Sequence, residues 1–230
     1  MGSLSERFKS ILGAENVLEH EPMSRHTTFR TGGAAAYYLT VTDEEKLLGI
    51  INVLQEDGVP YTVLGNGSNI LVSDNGYDGA VVKLSGDFTQ ISAKGLTVTA
   101  GAGAKLSELA AFARDKALSG FVFASGIPGT VGGALIMNAG AFGGEMADVC
   151  RSVRVLNPAG GRVESLSAED MSFGYRTSRV KGTDGIILSA EFLLEEGDRE
   201  EISRAMEELA ARRNSADSMI PSVPFTLLVR

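Results

Sequence analysis

Apolar residues recur at helical spacing in four segments of the chain. Residues 1–12 predict a short amphipathic helix, and residues 42–58 predict a second helix that begins with a capping box at 42–45 and ends at Gly58. Residues 105–117 and 198–213 predict two more. The positions expected to face the core are Leu47, Leu48, Ile51 and Leu54 in the second helix, Leu106, Leu109, Ala110 and Ala113 in the third, and Ile202, Met206 and Leu209 in the fourth.

Shorter runs of apolar and β-branched residues lie between these helices and predict strands. The predicted strands are 36–40, 59–64, 80–84, 88–92, 96–100, 151–156, 162–165 and 185–194. The first two flank the second helix and form a βαβ unit, whereas 88–100 and 151–165 are typical of hairpins. Residues 20–33 are expected to be irregular, and Ser167–Asp170 to cap a short helix. The pattern therefore predicts an α+β protein, with a βαβ subdomain followed by a strand-rich one.

The segment Ser125–Gly144 is unusually rich in glycine, with seven glycines in twenty residues. Glycine is unfavourable in regular elements, so a run this dense needs a reason. One reason is a flat or phosphorylated ligand that lies directly on the main chain. The alternative is a disordered linker, but the interspersed Val131, Leu135 and Ile136 favour a buried loop that contacts a ligand.

A second glycine-rich loop, Gly65–Asn69, follows the second strand of the βαβ unit, where ligands of open α/β sheets bind. Its composition predicts a nest of N–H donors suited to a pyrophosphate. Gly101-Ala-Gly103 also lies between a strand and a helix, but Leu106 occupies the position of the third glycine of a dinucleotide fingerprint. A tight turn ahead of the helix is the better interpretation there.

Charge and cysteine content limit the possible functions. The formal net charge of -8 argues against a general nucleic-acid binder. Cys150 is the single cysteine, so an intrachain disulfide is impossible and a cytoplasmic location fits; we expect it to be a core residue. No apolar run approaches the ~20 residues that cross a bilayer, so no membrane association is expected. His20 and His26 have no partner at metal-ligand spacing, so no metal is expected.

Five motifs occur together over residues 20–213. They are Thr28–Gly33, Gly65–Ser73, Ala124–Gly133, Met137–Ala141 and Phe173–Ser178. In this order they closely resemble the UDP-N-acetylenolpyruvoylglucosamine reductase family, flavoproteins that make UDP-N-acetylmuramate for peptidoglycan synthesis. The resemblance implies an FAD-binding domain of the vanillyl-alcohol-oxidase (PCMH) type over 21–197, with α+β subdomains at about 21–84 and 85–197. An N-terminal helical segment (1–20) precedes it, and a helix with a divergent tail (198–230) follows.

The resemblance also implies the roles of individual residues. NADPH is expected to reduce FAD, which passes hydride to UDP-N-acetylglucosamine enolpyruvate, and Arg176 is expected to stabilise negative charge beside the substrate carboxylate. The neighbouring Tyr175 could belong to the site or to the core. The FAD-binding residues implied are Gly65, Asn66, Gly67, Ser68 and Asn69 on the pyrophosphate side, Ser125, Ile127, Gly129, Thr130 and Gly133 along the rest of the cofactor, and Asn138, Gly140 and Ala141 near the flavin ring.

The segment from Ser215 to Arg230 departs from the family. The family's motif there is similar to Pro-Ser-Ala-Gly-Ser, whose last serine donates a proton, and a glutamate near the family's C-terminus completes the catalytic set. Here Pro221-Ser222 is followed by Pro224 and Phe225, and the glutamate has no counterpart. These differences predict a truncated or frameshifted product whose tail lacks a partner element. The alternatives to an active reductase are an FAD-binding fragment or pseudoenzyme and the FAD subunit of a multi-component oxidoreductase.

Overall fold

The computed structural model describes residues 2–216 and 226–228. The chain divides between Phe88 and Thr89 into two units: of the described residues, 2–88 and 226–228 belong to the first and 89–216 to the second. The helices are α1 (Leu4–Leu12), α2 (Glu44–Glu56), α3 (Leu106–Asp115), α4 (Val131–Ile136), α5 (Met146–Val149) and α6 (Arg199–Ala216). The strands are β1 (Val17–Pro22), β2 (Ala34–Val41), β3 (Tyr61–Leu64), β4 (Ile70–Val72), β5 (Tyr77–Leu84), β6 (Ile91–Lys94), β7 (Thr97–Gly101), β8 (Leu118–Ser119), β9 (Gly140–Ala141), β10 (Gly144–Glu145), β11 (Cys150–Asn157), β12 (Arg162–Ser167), β13 (Ile186–Leu193), β14 (Glu195–Glu196) and β15 (Thr226–Leu228).

The first unit contains a four-stranded sheet with the order β1-β2-β5-β3. β2 and β3 both run parallel to β5, and β1 pairs antiparallel with β2. The predicted β2-α2-β3 unit is confirmed, with β5 inserted between its two strands. The N-cap of α2 is Asp43 rather than Thr42, because the Asp43 carboxylate accepts a 2.9 Å hydrogen bond from the Lys46 N–H. This backbone hydrogen bond is the main reason that the pKa of Asp43 is lowered.

The expectation of an irregular segment over 20–33 is wrong at its start, because β1 runs from Val17 to Pro22. β1 is an edge strand in which only Val17 is buried, so the alternation that reveals a half-buried strand is missing. A 3₁₀ turn at Met23–Arg25 follows it, and Met23 is fully buried. Residues 26–33 contain no regular element.

The second unit contains an antiparallel five-stranded sheet with the order β12-β11-β13-β7-β6. Both predicted hairpins are confirmed, as β6 pairs with β7 and β11 with β12. The four α3 positions expected to face inward are all buried. Gly101–Gly103 forms the predicted tight turn, in which the Ala104 N–H donates to the Gly101 carbonyl at 3.0 Å.

Two predictions in the second unit need correction. Ser167 and Asp170 exchange hydrogen bonds, such as the 3.1 Å bond from the Asp170 N–H to the Ser167 Oγ, but they close a turn and no helix follows. The segment Ser125–Gly144 is not a loop throughout, because it contains α4 and the short β9–β10 hairpin. The glycines of this segment therefore lie partly in regular structure.

The expected lack of a partner for the tail is also wrong where the structure describes it. β15 pairs in parallel with β4 of the first unit, with Thr226 opposite Ile70 and Leu228 opposite Val72. The remaining residues of the divergent tail, 217–225 and 229–230, lie outside the described residues, and Ser222, Pro224 and Phe225 are among them.

Candidate functional site

The loop Gly65–Asn69 begins where β3 ends at Leu64 and is held through its carbonyl groups. The Lys83 ammonium on β5 donates to the Gly65 carbonyl. The Thr28 N–H donates to the Gly67 carbonyl at 2.9 Å. Both carbonyls are thus engaged by the protein, which fixes the direction of the intervening peptide groups.

Gly67 is required at its position by the protein itself. Its φ of +65° is in the left-handed region, and a Cβ added there would lie 2.0 Å from the His26 carbonyl oxygen. No real Cβ contact is that short, so any other residue would displace the segment that carries His26. Glycine here allows two stretches of main chain to touch.

The N–H groups of Asn66, Gly67, Ser68 and Asn69 have no hydrogen-bond acceptor among the residues that the structure describes. Unpaired donors on consecutive residues, in a loop that the protein holds through the Gly65 and Gly67 carbonyls, form an arrangement that suits an anionic ligand. The geometry of this loop is therefore compatible with its predicted role towards a pyrophosphate.

The motif Thr28–Gly33 supports the same region of the first unit. The Gly33 N–H donates to the Ser73 carbonyl at 2.9 Å, and the Gly33 carbonyl accepts from the Met23 N–H at 3.1 Å. A Cβ on Gly33 would lie 2.3 Å from the Asp74 carbonyl oxygen. The sequence motifs at 28–33 and 65–73 are thus neighbours in space and pack against each other.

In the second unit, three of the seven glycines of Ser125–Gly144 are explained by packing. A Cβ on Gly132 would lie 3.0 Å from the Ala102 Cβ, one on Gly140 would lie 2.7 Å from the Gly144 carbonyl oxygen, and one on Gly144 would lie 2.9 Å from the Phe123 ring. These contacts hold α4 and the β9–β10 hairpin in place. They require no ligand.

Gly133 is different. It is exposed in the first turn of α4, and its added Cβ would meet only the Thr130 Oγ1, at 3.6 Å. The N–H groups of Gly133 and Thr130 have no acceptor within the described part of the chain. A glycine that costs helix stability and avoids no protein clash suggests that space is kept for something else.

Other residues predicted in this segment are occupied by local contacts. The Ser125 Oγ donates to the Val122 carbonyl at 2.8 Å, and the Ile127 N–H donates to the Ala124 carbonyl at 3.1 Å. The Gly129 carbonyl accepts from the Leu106 N–H at 3.0 Å. The chain entering α4 is therefore anchored to α3 and to the 3₁₀ turn at residues 122–124.

Asn138 connects this segment to the motif at residues 173–178. It is only 2% exposed, its Nδ2 donates to the Gly174 carbonyl at 3.2 Å, and its Oδ1 accepts from the Ala147 N–H at 3.0 Å. The Ser178 Oγ makes a parallel connection by donating to the Ile136 carbonyl at 2.9 Å. The side chain of Asn138 thus holds the glycine-rich segment to the motif at residues 173–178 and to Ala147.

Arg176 lies at the tip of a tight turn. Gly174 and Thr177 exchange backbone hydrogen bonds of 3.1 and 3.2 Å, and Arg176 adopts φ +55°. The Lys181 ammonium donates to the Arg176 carbonyl at 2.9 Å. Tyr175 is 90% exposed, so the alternative that placed it in the core is wrong. A non-glycine residue in the left-handed region is strained, and such strain is common at functional positions.

Arg176 and six residues of the glycine-rich segment line one cleft of about 400 Å³. The predicted site residues in its lining are Asn138, Gly140, Ala141 and Arg176; the remaining lining residues are Phe142, Gly143, Gly144, Glu145, Asp148 and Tyr175. The structure thus brings the two motifs nearest the expected flavin ring together. Arg176 shares the cleft with two acidic residues, Glu145 and Asp148, and the Asp148 carboxylate accepts from the Glu145 N–H at 2.8 Å.

Sequence reasoning missed Phe142, Glu145 and Arg213. Phe142 is half exposed with φ +54°, and it directly follows the predicted Ala141, so extending that motif by a few residues would have included it.

Arg213, near the end of α6, places its Nη1 2.6 Å from where a Cβ on Gly126 would lie. This buried nitrogen has no hydrogen-bond partner among the described residues. No sequence signal indicated its contact with Gly126.

The described residues contain no reactive thiol, no metal-binding cluster and no membrane-spanning helix. Cys150 is buried as predicted, and burial raises the pKa of its thiol to about 12. The described residues contain no group of three or more His, Cys, Asp or Glu side chains placed to hold a metal ion. None of the described helices combines the length and apolar character needed to cross a membrane.

Comparison with protein families identifies the domain. The sequence model of the FAD binding domain family matches residues 35–167, more than half of the chain. The p-cresol methylhydroxylase structure, at 16% identity and a TM-score of 0.59, covers 84% of this chain and 43% of that one. At this identity the likeness concerns the fold alone, and it agrees with the expected α+β fold of the PCMH type.

Three relatives with higher sequence identity are all named as the same reductase. UDP-N-acetylenolpyruvoylglucosamine reductase of Clostridioides difficile is 45% identical over 204 residues, which is 89% of this chain and 67% of the relative. The reductase of Geobacillus kaustophilus is 39% identical over 95% of this chain and 71% of its own length. The crystal structure of the Thermus caldophilus reductase superposes with a TM-score of 0.75 at 36% identity, covering 90% of this chain and 70% of that chain. The chain therefore spans about two thirds of these relatives, contains an FAD binding domain and belongs to the UDP-N-acetylenolpyruvoylglucosamine reductase family.

Proposed function

We propose that this chain provides the flavin-binding part of an NADPH-dependent reductase that converts UDP-N-acetylglucosamine enolpyruvate to UDP-N-acetylmuramate. The observation that carries the proposal is the cleft in which Arg176 lies with Asn138, Gly140 and Ala141. The substrate is assigned from the name shared by the relatives. This reaction belongs to peptidoglycan synthesis, which supports cell-wall growth and division, and we place it in the cytoplasm.

The residues of each unit fit an FAD cofactor when they are considered separately. In the first unit, the unpaired N–H groups of Asn66–Asn69 suit the negative charge of a diphosphate. In the second, Gly133 leaves open space beside its own N–H group, and an added Cβ would occupy part of that space. When bound, FAD would supply the hydride transfer between NADPH and the substrate double bond. The chain's own contribution is binding and electrostatics.

Arg176 is the residue that we assign to the reacting part of the substrate. Its guanidinium is permanently charged and can hold a carboxylate through two parallel hydrogen bonds. Negative charge that develops next to that carboxylate during reduction is stabilised by the same cation. The tight turn and the Lys181 hydrogen bond fix the main chain of Arg176, which reduces the cost of ordering its side chain.

A second candidate function is flavin binding without efficient turnover. It is favoured by one sequence observation: Pro224 and Phe225 stand where the family motif has glycine and the proton-donating serine. These two residues lie outside the described residues. Neither side chain can donate a proton, and Ser222 is not aligned with the serine of the motif.

One experiment separates the two candidates. The purified chain is examined for a flavin spectrum, and NADPH oxidation is measured with and without the enolpyruvyl substrate. Substrate-dependent oxidation at an enzymatic rate supports the reductase. Bound flavin without this dependence supports the second candidate, and a chain that neither carries nor takes up FAD contradicts both.

Arg176 offers a matched test of its assigned role. Arg176→Ala should lower substrate-dependent turnover by about 10²–10³-fold, the usual cost of removing one group that stabilises a transition-state charge. FAD binding should remain. Arg176→Lys keeps the charge but not the paired hydrogen bonds, so we expect an intermediate loss. Equal turnover in all three proteins would reject the role.

A further inference from the structure

Glu21, His26 and Tyr38 form a side-chain cluster in the first unit that the proposed reaction does not use. The His26 Nε2 lies 2.9 Å from the Glu21 Oε1. The His26 ring stacks on the Tyr38 ring, with centroids 4.0 Å apart and an interplanar angle of 23°. The Glu21 and His26 side chains are 12% and 23% exposed. The imidazole ring is therefore held by a hydrogen bond from one strand and by an aromatic face from the next.

The main chain that carries this ring supports the loop Gly65–Asn69. The His26 carbonyl is the group that a Cβ on Gly67 would strike, and two residues later the Thr28 N–H donates to the Gly67 carbonyl. Thr27, between them, is buried, and its Oγ1 donates to the Thr31 carbonyl at 2.9 Å. The His26 ring and the loop thus share the same three-residue support, 26–28.

The surroundings of the cluster favour a firm attachment of the His26 ring to Glu21 and Tyr38. Tyr38 is buried, and burial, followed by the nearby Glu21 charge, raises the pKa of its hydroxyl to about 12. Arg25 also approaches Glu21, at 3.6 Å, but its side chain is 69% exposed and contributes little. The hydrogen bond and the stacking contact of His26 are thus partly shielded from water, where both are stronger.

We infer that His26 is a positioning residue for FAD, whose ring fixes segment 26–28 and thereby the N–H groups of the loop Gly65–Asn69. The inference rests on the proposed function, because it assumes that this loop binds the cofactor. It requires no contact between His26 and FAD. Its physical basis is that a loop ordered before binding does not incur the ordering cost when the ligand arrives.

The test is the affinity of flavin-stripped protein for added FAD, measured by titration of the flavin fluorescence. His26→Ala should raise the Kd about tenfold, which corresponds to ordering one or two side chains. His26→Gln retains a donor for Glu21, and His26→Phe retains a ring for Tyr38, so each should recover part of the loss. His20→Asn is the matched control: His20 is exposed on β1, and asparagine tolerates its φ of +51°.

A second measurement separates positioning from general destabilisation. Amide hydrogen exchange should become faster at Thr28 in His26→Ala, while the β5 amides keep their protection. Loss of protection throughout the first unit would overturn the inference, as would a Kd within twofold of wild type in every His26 variant. If His26→Ala does not fold, the Kd for FAD and the amide exchange of His26→Gln and His26→Phe are judged by the same criteria. Failure of the wild-type chain to bind FAD would overturn the proposed function and this inference together.

Discussion

Two glycines from similar glycine-rich segments, Gly67 of Gly65–Asn69 in the first unit and Gly133 of Ser125–Gly144 in the second, serve different purposes. Gly67 is required because protein main chain lies where its side chain would be, 2.0 Å from the His26 carbonyl oxygen. Gly133 has no protein neighbour within 3.4 Å of an added Cβ and is exposed. One glycine permits packing, whereas the other leaves space free.

The difference shows why glycine density alone cannot locate a cofactor. Gly132, Gly140 and Gly144 resemble Gly133 in the sequence, yet each is accounted for by a contact with another part of the second unit. The glycine that indicates a ligand is Gly133, because no protein contact there excludes a side chain. In α4 its conformational freedom costs stability, so its presence favours a ligand there.

Gly67→Ala should have the largest effect. A Cβ at φ +65° costs about 1–2 kcal/mol, and relief of the contact with His26 adds about 1–3 kcal/mol. We therefore expect the free energy of unfolding to fall by about 2–5 kcal/mol and FAD binding to be lost. Urea denaturation of the flavin-stripped protein measures the first effect, and FAD titration measures the second.

Gly58→Ala is the control for this substitution, because Gly58 also has a positive φ, +63°, but no atom within 4 Å of an added Cβ. It carries the conformational cost without the clash and should destabilise the protein by only about 1–2 kcal/mol. Equal effects of the two substitutions would show that packing against His26 is unimportant, and the comparison with Gly133 would then fail.

Asn138→Ala should have an intermediate effect, because a side chain rather than a glycine fixes the second segment at this point. It leaves the Gly174 carbonyl and the Ala147 N–H without their partner in a buried site, at a cost of about 1–3 kcal/mol. The turn that carries Arg176 should also loosen, lowering turnover more than FAD affinity. The free energy of unfolding, the Kd for FAD and the kcat of the variant are measured in parallel. A loss of FAD affinity with normal turnover would contradict the prediction.

Much of the fold could be predicted because regular amphipathic patterns determine it. The inward positions of α3 and the two hairpins of the second unit follow from apolar periodicity and turn residues. The edge strand β1 and the pairing of β15 with β4 could not be predicted in this way. β1 buries only Val17, and β15 gains its partner through a contact between residues far apart in sequence.

The candidate site was only partly predictable for a related reason. The motifs gave Arg176 and its neighbours in the cleft, but the roles of Asn138 and Gly67 depend on what lies opposite them. Asn138 bonds to groups 36 and 9 residues away, and Gly67 meets a carbonyl about forty residues earlier in the chain. Such contacts leave no local pattern, so sequence alone cannot distinguish a glycine that packs from one that leaves space.

Gly133→Ala provides the most direct test of the claim that the second segment keeps space for FAD. The flavin-stripped variant should unfold at the same temperature as the wild type or slightly above it, because alanine is favoured over glycine in a helix by up to about 1 kcal/mol. Its Kd for FAD should nevertheless rise at least about tenfold, since the added methyl group occupies the ligand's space. A Kd within twofold of the wild-type value, at unchanged stability, would show that FAD does not use the space beside Gly133.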